Sequence, residues 1–168
     1  MTKVMIMVKY YSVLIALLLF SSCGQTDEIG EKEKAVIVKQ VEQMFTNYHD
    51  DIRKDGLTAE FKYLDSSADF FWVPPGYNSP LAYDSVKVIL NANARMFRSV
   101  EFKWKSLKVF PLTYEIANYS GIVEGIMIDT SGVGSPMLII ESGTVIKRPD
   151  GWKLLSGQSA VLGTDADN

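Results

Sequence analysis

The chain has 168 residues, with 17 Lys and Arg against 20 Asp and Glu and a formal net charge of −3. An acidic chain without a basic stripe excludes nucleic acid and anionic lipid headgroups as principal partners. At 47% hydrophobic residues it carries enough apolar material for one packed core, and residues 34–162 suit a single domain.

The first residues are basic (Lys3, Lys9), and an apolar run over 10–20 follows. That run is about half the roughly 20 residues a spanning helix needs. Ser21 and Ser22 then precede Cys23, the only cysteine. This pattern resembles a bacterial lipoprotein signal, which implies removal of residues 1–22 and lipid on Cys23. The expectation is a protein of the cell envelope, held to a membrane through Cys23 and facing the periplasm or the outside. Loss of Lys3 and Lys9 would take the charge to −5. A lipidated Cys23 leaves the mature domain no thiol for a disulfide, a nucleophile or a metal. Residues 23–33 are mostly polar and read as a flexible tether whose last residues enter a helix, and 163–168 as a loose polar tail.

Residues 31–54 predict a long amphipathic helix, with Ile37, Val41, Met44, Phe45, Tyr48 and Ile52 on one stripe. Gly56 is its expected stop. A short helix over 58–64 follows, then a turn at Ser66–Asp69 and an aromatic strand over 70–73 closed by Pro74, Pro75 and Gly76. Asp84 is the expected N-cap of a third helix over 84–97, with Asn93 as a polar residue inside its apolar stripe. Beyond it the pattern is β. Val100, Phe102 and Trp104 alternate with charged residues, and the phase slips at Ser106 and Leu107, which predicts a bulge. Long strands are expected over 114–128, 137–147 and 152–160, the last two joined by a tight turn at Pro149, Asp150 and Gly151.

The order helix, short helix, strand, helix and long antiparallel strands is similar to the NTF2-like superfamily, including its SnoaL-like and DUF4440-like groups. The stretch from Gly143 to Leu155, closing on Gly151, Trp152, Lys153, Leu154 and Leu155, carries the most specific part of the likeness. The resemblance implies an α+β cone, in which a strongly bent antiparallel sheet packs on three N-terminal helices. It also implies a small-ligand pocket at the open end. Many relatives place histidines after the apolar pair. Here those positions are Ser156 and Gln158, which can orient a ligand but are poor acids or bases near neutral pH.

Several side chains are candidates for chemistry, each with a plainer alternative. Glu141 lies mid-strand, on the face of Ile139, Gly143 and Val145. It is either a general base in an apolar cone or a residue of the wet face or of a dimer interface. Asp69 is either a base by analogy with ketosteroid isomerase-like members or a turn residue. Tyr63, Trp72 and Trp104 could line the cone or simply fill the core. Asn93 needs a partner, which a ligand or water in the cone could supply. Gly121 and Gly125 leave either cavity space or room for strand bending. His49, beside Asp50 and Asp51, reads as solvated helix surface, and neither a metal site nor a cofactor is predicted. The functional expectation is a lipid-anchored domain that binds a small, largely apolar ligand or serves as an assembly module. The alternatives are an isomerase, dehydratase or cyclase using Glu141 or Asp69, and a structural module forming homodimers through the outer sheet face.

Overall fold

The computed structural model describes residues 29–163. The expected leader, the lipidation at Cys23 and the last residues of the tail lie outside the described residues. Among the described residues no helix is long and apolar enough to cross a membrane.

Helix α1 (Glu31–Asp55) buries Ile37, Val41, Met44, Phe45, Tyr48, His49 and Ile52. Glu31 and Glu33 in its first turn and Arg53 and Lys54 in its last complement the helix dipole. Gly56, at φ 84°, adopts a backbone that side-chain-bearing residues avoid, and its N–H closes on the Ile52 carbonyl at 2.8 Å. A 3-10 helix (Leu57–Lys62) follows directly. Helix α2 (Tyr83–Asn93) starts after Ala82, so Asp84 sits in its first turn rather than capping it by a side-chain bond. It ends at Asn93, where the expected helix continued to Phe97. Phe97 instead opens a strand.

The strands are β1 (Phe71–Val73), β2 (Phe97–Pro111), β3 (Ile116–Asp129), β4 (Gly134–Arg148) and β5 (Gly151–Leu162). They form one curled sheet in the order β1-β5-β4-β3-β2. β2 to β5 run as an antiparallel meander, while β1 pairs with β5 in parallel, so the sheet is mixed. α1 packs across the concave face, chiefly against β2. Phe45 meets Trp104 and Tyr119 there, with ring centroids 5.1 and 4.6 Å apart.

Two register shifts decide what faces inward. On β2 the shift between Trp104 and Ser106 leaves Lys105 unpaired and brings Leu107 and Val109 onto the inner face of Phe102 and Trp104. On β5 Leu154 pairs with Val145 and Ser156 with Thr144, so Leu155 is the extra residue. Simple alternation from Trp152 and Leu154 would carry Ser156 and Gln158 inward. A one-residue slip reverses the faces, so Gly157 and Ser159 turn inward instead.

Four inner-face glycines each accept an aromatic ring. A Cβ on Gly121 would meet the Trp104 ring at 2.8 Å, and one on Gly125 the Phe102 ring at 2.9 Å. A Cβ on Gly143 would stand 3.1 Å from the Tyr119 ring, and one on Gly157 2.6 Å from the Trp72 ring. The space at Gly121 and Gly125 is therefore filled by Trp104 and Phe102.

Candidate functional site

The β3–β4 register sets Glu141 opposite Gly121 and Tyr119 opposite Gly143, all on the inner face. Diagonal neighbours across two strands lie within reach of long side chains. The Tyr119 hydroxyl donates a 2.7 Å hydrogen bond to Glu141 Oε1. On its other side Glu141 pairs with Ser159, whose hydroxyl accepts from Trp72 Nε1 at 3.3 Å. Trp104, seated over Gly121, and Trp72, seated over Gly157, thus flank the strand that carries Glu141.

A second carboxyl approaches from the 3-10 helix. Glu60 is acted on by the Tyr48 hydroxyl of α1 and by the charge of Glu141. Both carboxyls are half-buried. Burial pushes Glu141 up to about 7, against the Tyr119 hydrogen bond that favours its charged form. Burial also pushes Glu60 up to about 7, with the Tyr48 hydroxyl opposing the rise and the Glu141 charge adding to it. The hydroxyls of Tyr48 and Tyr119 rise well above 10, first through burial and then through the two carboxylates. Two carboxyls that sense each other lose their protons as a pair. Near neutral pH one can hold a proton while the other accepts one.

His49 is buried, which corrects the expectation of a solvated ring. It stacks on Trp104 at 5.6 Å and 28°. Desolvation lowers it to about 4 against the pull of Asp50, so it is neutral at neutral pH. Trp104 Nε1 is buried and lacks a hydrogen-bond partner among the described residues.

The other candidates lie elsewhere. The Tyr63 ring packs on Tyr48 at 5.3 Å, but its hydroxyl donates to Asp51 Oδ2 at 2.6 Å. Asp69 is exposed in the turn before β1, where its charge acts on Arg148. Ser156 and Gln158 line a shallow outer concavity with Phe71, Val73 and Thr144. Asn93 is half-buried at the end of α2, and no hydrogen bond joins it to Glu141. The structure thus brings Glu141, Trp72 and Trp104 together and leaves Tyr63, Asp69, Asn93, Ser156 and Gln158 apart from them.

Tyr48, Glu60 and Tyr119 complete the site without having been candidates for chemistry in the sequence, where Tyr48 stood only on the apolar stripe of the first helix. A six-residue 3-10 helix has too little periodicity to announce that Glu60 points inward. His49 had a signal: it stands four residues after Phe45 and three before Ile52, on the buried stripe. Among the described residues no three His, Cys, Asp or Glu side chains converge as metal ligands would.

No family model matches the chain, and no curated protein matches it in sequence. Solved structures do match in shape. An NTF2-like superfamily protein from Salmonella enterica superposes with a TM-score of 0.67 at 12% identity, covering 80% of this chain and 97% of that one. A scytalone dehydratase-like protein from Novosphingobium aromaticivorans gives 0.67 at 16% identity, covering 83% and 93%. A hexachlorocyclohexane dehydrochlorinase from Novosphingobium barchaimii gives 0.63 at 9% identity, covering 80% and 92%. At such identities the likeness speaks for the fold: the chain adopts the NTF2-like α+β cone.

Proposed function

We propose that the domain binds a small, largely apolar, uncharged molecule against the inner face of the sheet and moves a proton on it, as an isomerase, dehydratase or cyclase does. The observation that carries this reading is the Glu60–Glu141 pair, Glu141 bonded to buried Tyr119 and Glu60 acted on by buried Tyr48, both carboxyls raised to about 7. Acid–base groups work best when their proton affinity lies near the working pH. In a dehydration Glu141 would take the proton from carbon. The C–O bond would break with its electron pair on oxygen, and the Glu60 proton would leave with that oxygen as water. In an isomerisation the proton taken by Glu141 would return at another carbon. The only Lys or Arg at an inner-face position of β2 to β5 is Lys147, opposite Trp152 at the turn end of β4 and six residues along the strand from Glu141, so an anionic substrate at the carboxyl pair would meet carboxylates first. Two of the fold neighbours bear the names of eliminating enzymes, which accords with this chemistry.

The test is proton transfer on a simple probe. The protein should accelerate conversion of cyclohex-3-enone to cyclohex-2-enone, and Glu141→Gln should lower that rate by about 100-fold or more. Equal rates for the two proteins would overturn the reading.

We further infer that lipid on Cys23 holds the domain at a membrane of the cell envelope. Mass spectrometry of the N-terminal peptide should find acyl chains on Cys23, and a free thiol there would contradict this. The assembly reading is favoured by a separate observation. Ile122, Ile126, Leu138 and Ile140 form an apolar patch on the outer sheet face, with Ile126 47% and Ile140 45% exposed. A homodimer through this patch should dissociate with Ile140→Asp, read as mass in light scattering.

A further inference from the structure

A second concavity lies on the outside of the molecule, between α1 and the turn joining β4 to β5. It measures about 530 Å³, which falls in the range of small-molecule sites, roughly 300–1,000 Å³. Its lining includes Lys39, Lys62, Lys147 and Lys153 against one acid, Asp150. In a chain of net charge −3 this is a local reversal of sign.

The hydrogen-bond partners sharpen the picture. Lys62 Nζ is held by Asp51 at 2.7 Å, and Lys153 Nζ by Asp150 at 2.8 Å. Lys39 and Lys147 have no ion-pair partner among the described residues. The amides are oriented by their neighbours. An indole N–H can only donate, and Trp152 Nε1 donates to Gln40 Oε1 at 3.2 Å. Gln43 Nε2 donates to Asn47 Oδ1 at 3.0 Å. The oxygens of Gln40 and Asn47 are thus engaged, while their NH2 groups have no side-chain hydrogen-bond partner among the described residues. Among the described residues of the lining, Gln43 Oε1 is the side-chain amide oxygen left without a partner. Two ammonium groups and two amide NH2 groups remain on offer over a floor of Met44 and Trp152, so the groove is rich in donors and short of acceptors.

We propose that this groove is a binding site for a ligand bearing oxyanion groups, carboxylate or phosphate, seated between Lys39 and Lys147. It is distinct from the inner carboxyl pair, whose charge repels anions. The proposal does not depend on catalysis at that pair.

Trp152 is a built-in reporter, because a ligand that engages the Gln40 amide disturbs the indole bonded to it. The full chain in an uncharged detergent is titrated with inositol hexakisphosphate, trigalacturonate and neutral maltotriose, and the three indole N–H signals are followed by NMR. The Trp152 signal should move with an acidic probe, while Trp72 and Trp104 stay in place. Response to the phosphate alone or to the uronate alone supports the site and assigns the source of the oxyanion. Lys39→Gln with Lys147→Gln should weaken binding at least tenfold. The remote pair Lys103→Gln with Lys108→Gln, equal in charge change, should leave it unaltered. A still Trp152 signal with both acids, an equal response to maltotriose, or equal weakening in the two double variants would each overturn the proposal. Movement of Trp72 or Trp104 in place of Trp152 would do the same.

Discussion

Tyr119 and Glu141 sit diagonally across β3 and β4, joined by a 2.7 Å hydrogen bond from the phenol to the carboxylate. The bond favours the charged carboxylate, against the burial that opposes it. Removing the hydroxyl therefore acts mainly where Glu141 is ionised. Tyr119→Phe should cost about 1–2 kcal/mol at pH 8, less at pH 5.5, and should raise the Glu141 pKa further. Urea unfolding at the two pH values checks this. An equal loss at both would mean that the hydroxyl contributes packing alone.

The pH dependence of stability has a defined sign. Glu60 and Glu141 bind protons more tightly in the folded chain, about 7 against the ordinary 4.5. Their contribution is complete below 4.5 and is lost as the pH rises through 7. His49 acts the other way, because it is lowered from 6.5 to about 4. Its contribution is present above 6.5 and is lost as the pH falls through 4. Two carboxyls outweigh one imidazole, so stability should fall by about 3 kcal/mol between pH 5 and 7.5. In Glu60→Gln with Glu141→Gln only the His49 contribution remains in this window, and the slope should reverse. A wild-type protein that gains stability from pH 5 to 7.5 would contradict the assignment.

The glycines under the aromatic rings should tolerate no side chain. A Cβ at Gly121 would lie 2.1 Å from the Ser106 carbonyl oxygen, and one at Gly157 would lie 2.6 Å from the Ser142 carbonyl oxygen. Gly121→Ala and Gly157→Ala should each cost about 1–3 kcal/mol. Gly157→Ala should also shift Trp72 fluorescence as its bond to Ser159 breaks. At Gly134 the nearest atom is 4.0 Å away, and Gly134→Ala should pass almost unnoticed by thermal unfolding.

Asp65 is buried and held by Arg148 through two 2.9 Å bonds, with Ser67 as a further donor. The pair ties the chain after the 3-10 helix to the end of β4. Arg148→Met leaves a buried charge unpaired and should cost about 3 kcal/mol, whereas adding Asp65→Asn should recover part of that loss. A double variant no more stable than Arg148→Met would refute the coupling.

The parts legible in the sequence are those written in local periodicity. Ile37, Val41, Met44, Phe45, Tyr48 and Ile52 recur at helical spacing, and all six are buried. The slip at Ser106 was visible because Val100, Phe102 and Trp104 alternate strictly before it. The parallel pairing of β1 with β5 was not visible, since three residues carry no record of a partner some 85 positions away. The bulge at Leu155 hid the true facing of Ser156 and Gln158, because nothing in Leu154-Leu155-Ser156 marks the extra residue. Glu141 was grouped in the sequence with Ile139, Gly143 and Val145, but whether that face was the wet one or the inner one stayed open. Its environment depended on Tyr119, Tyr48 and Glu60, which come from three other elements. The buried Asp65–Arg148 pair joins residues 83 positions apart and was equally silent.

The inner carboxyl pair is the centre of this account, and its proton affinity can be measured without knowing any substrate. Carbon-13 NMR of the glutamate side-chain carboxyls, followed from pH 3 to 9, should show two coupled titrations near 7 that vanish in Glu60→Gln with Glu141→Gln. If every glutamate carboxyl loses its proton below pH 5, the pair is not desolvated and the acid–base site does not exist.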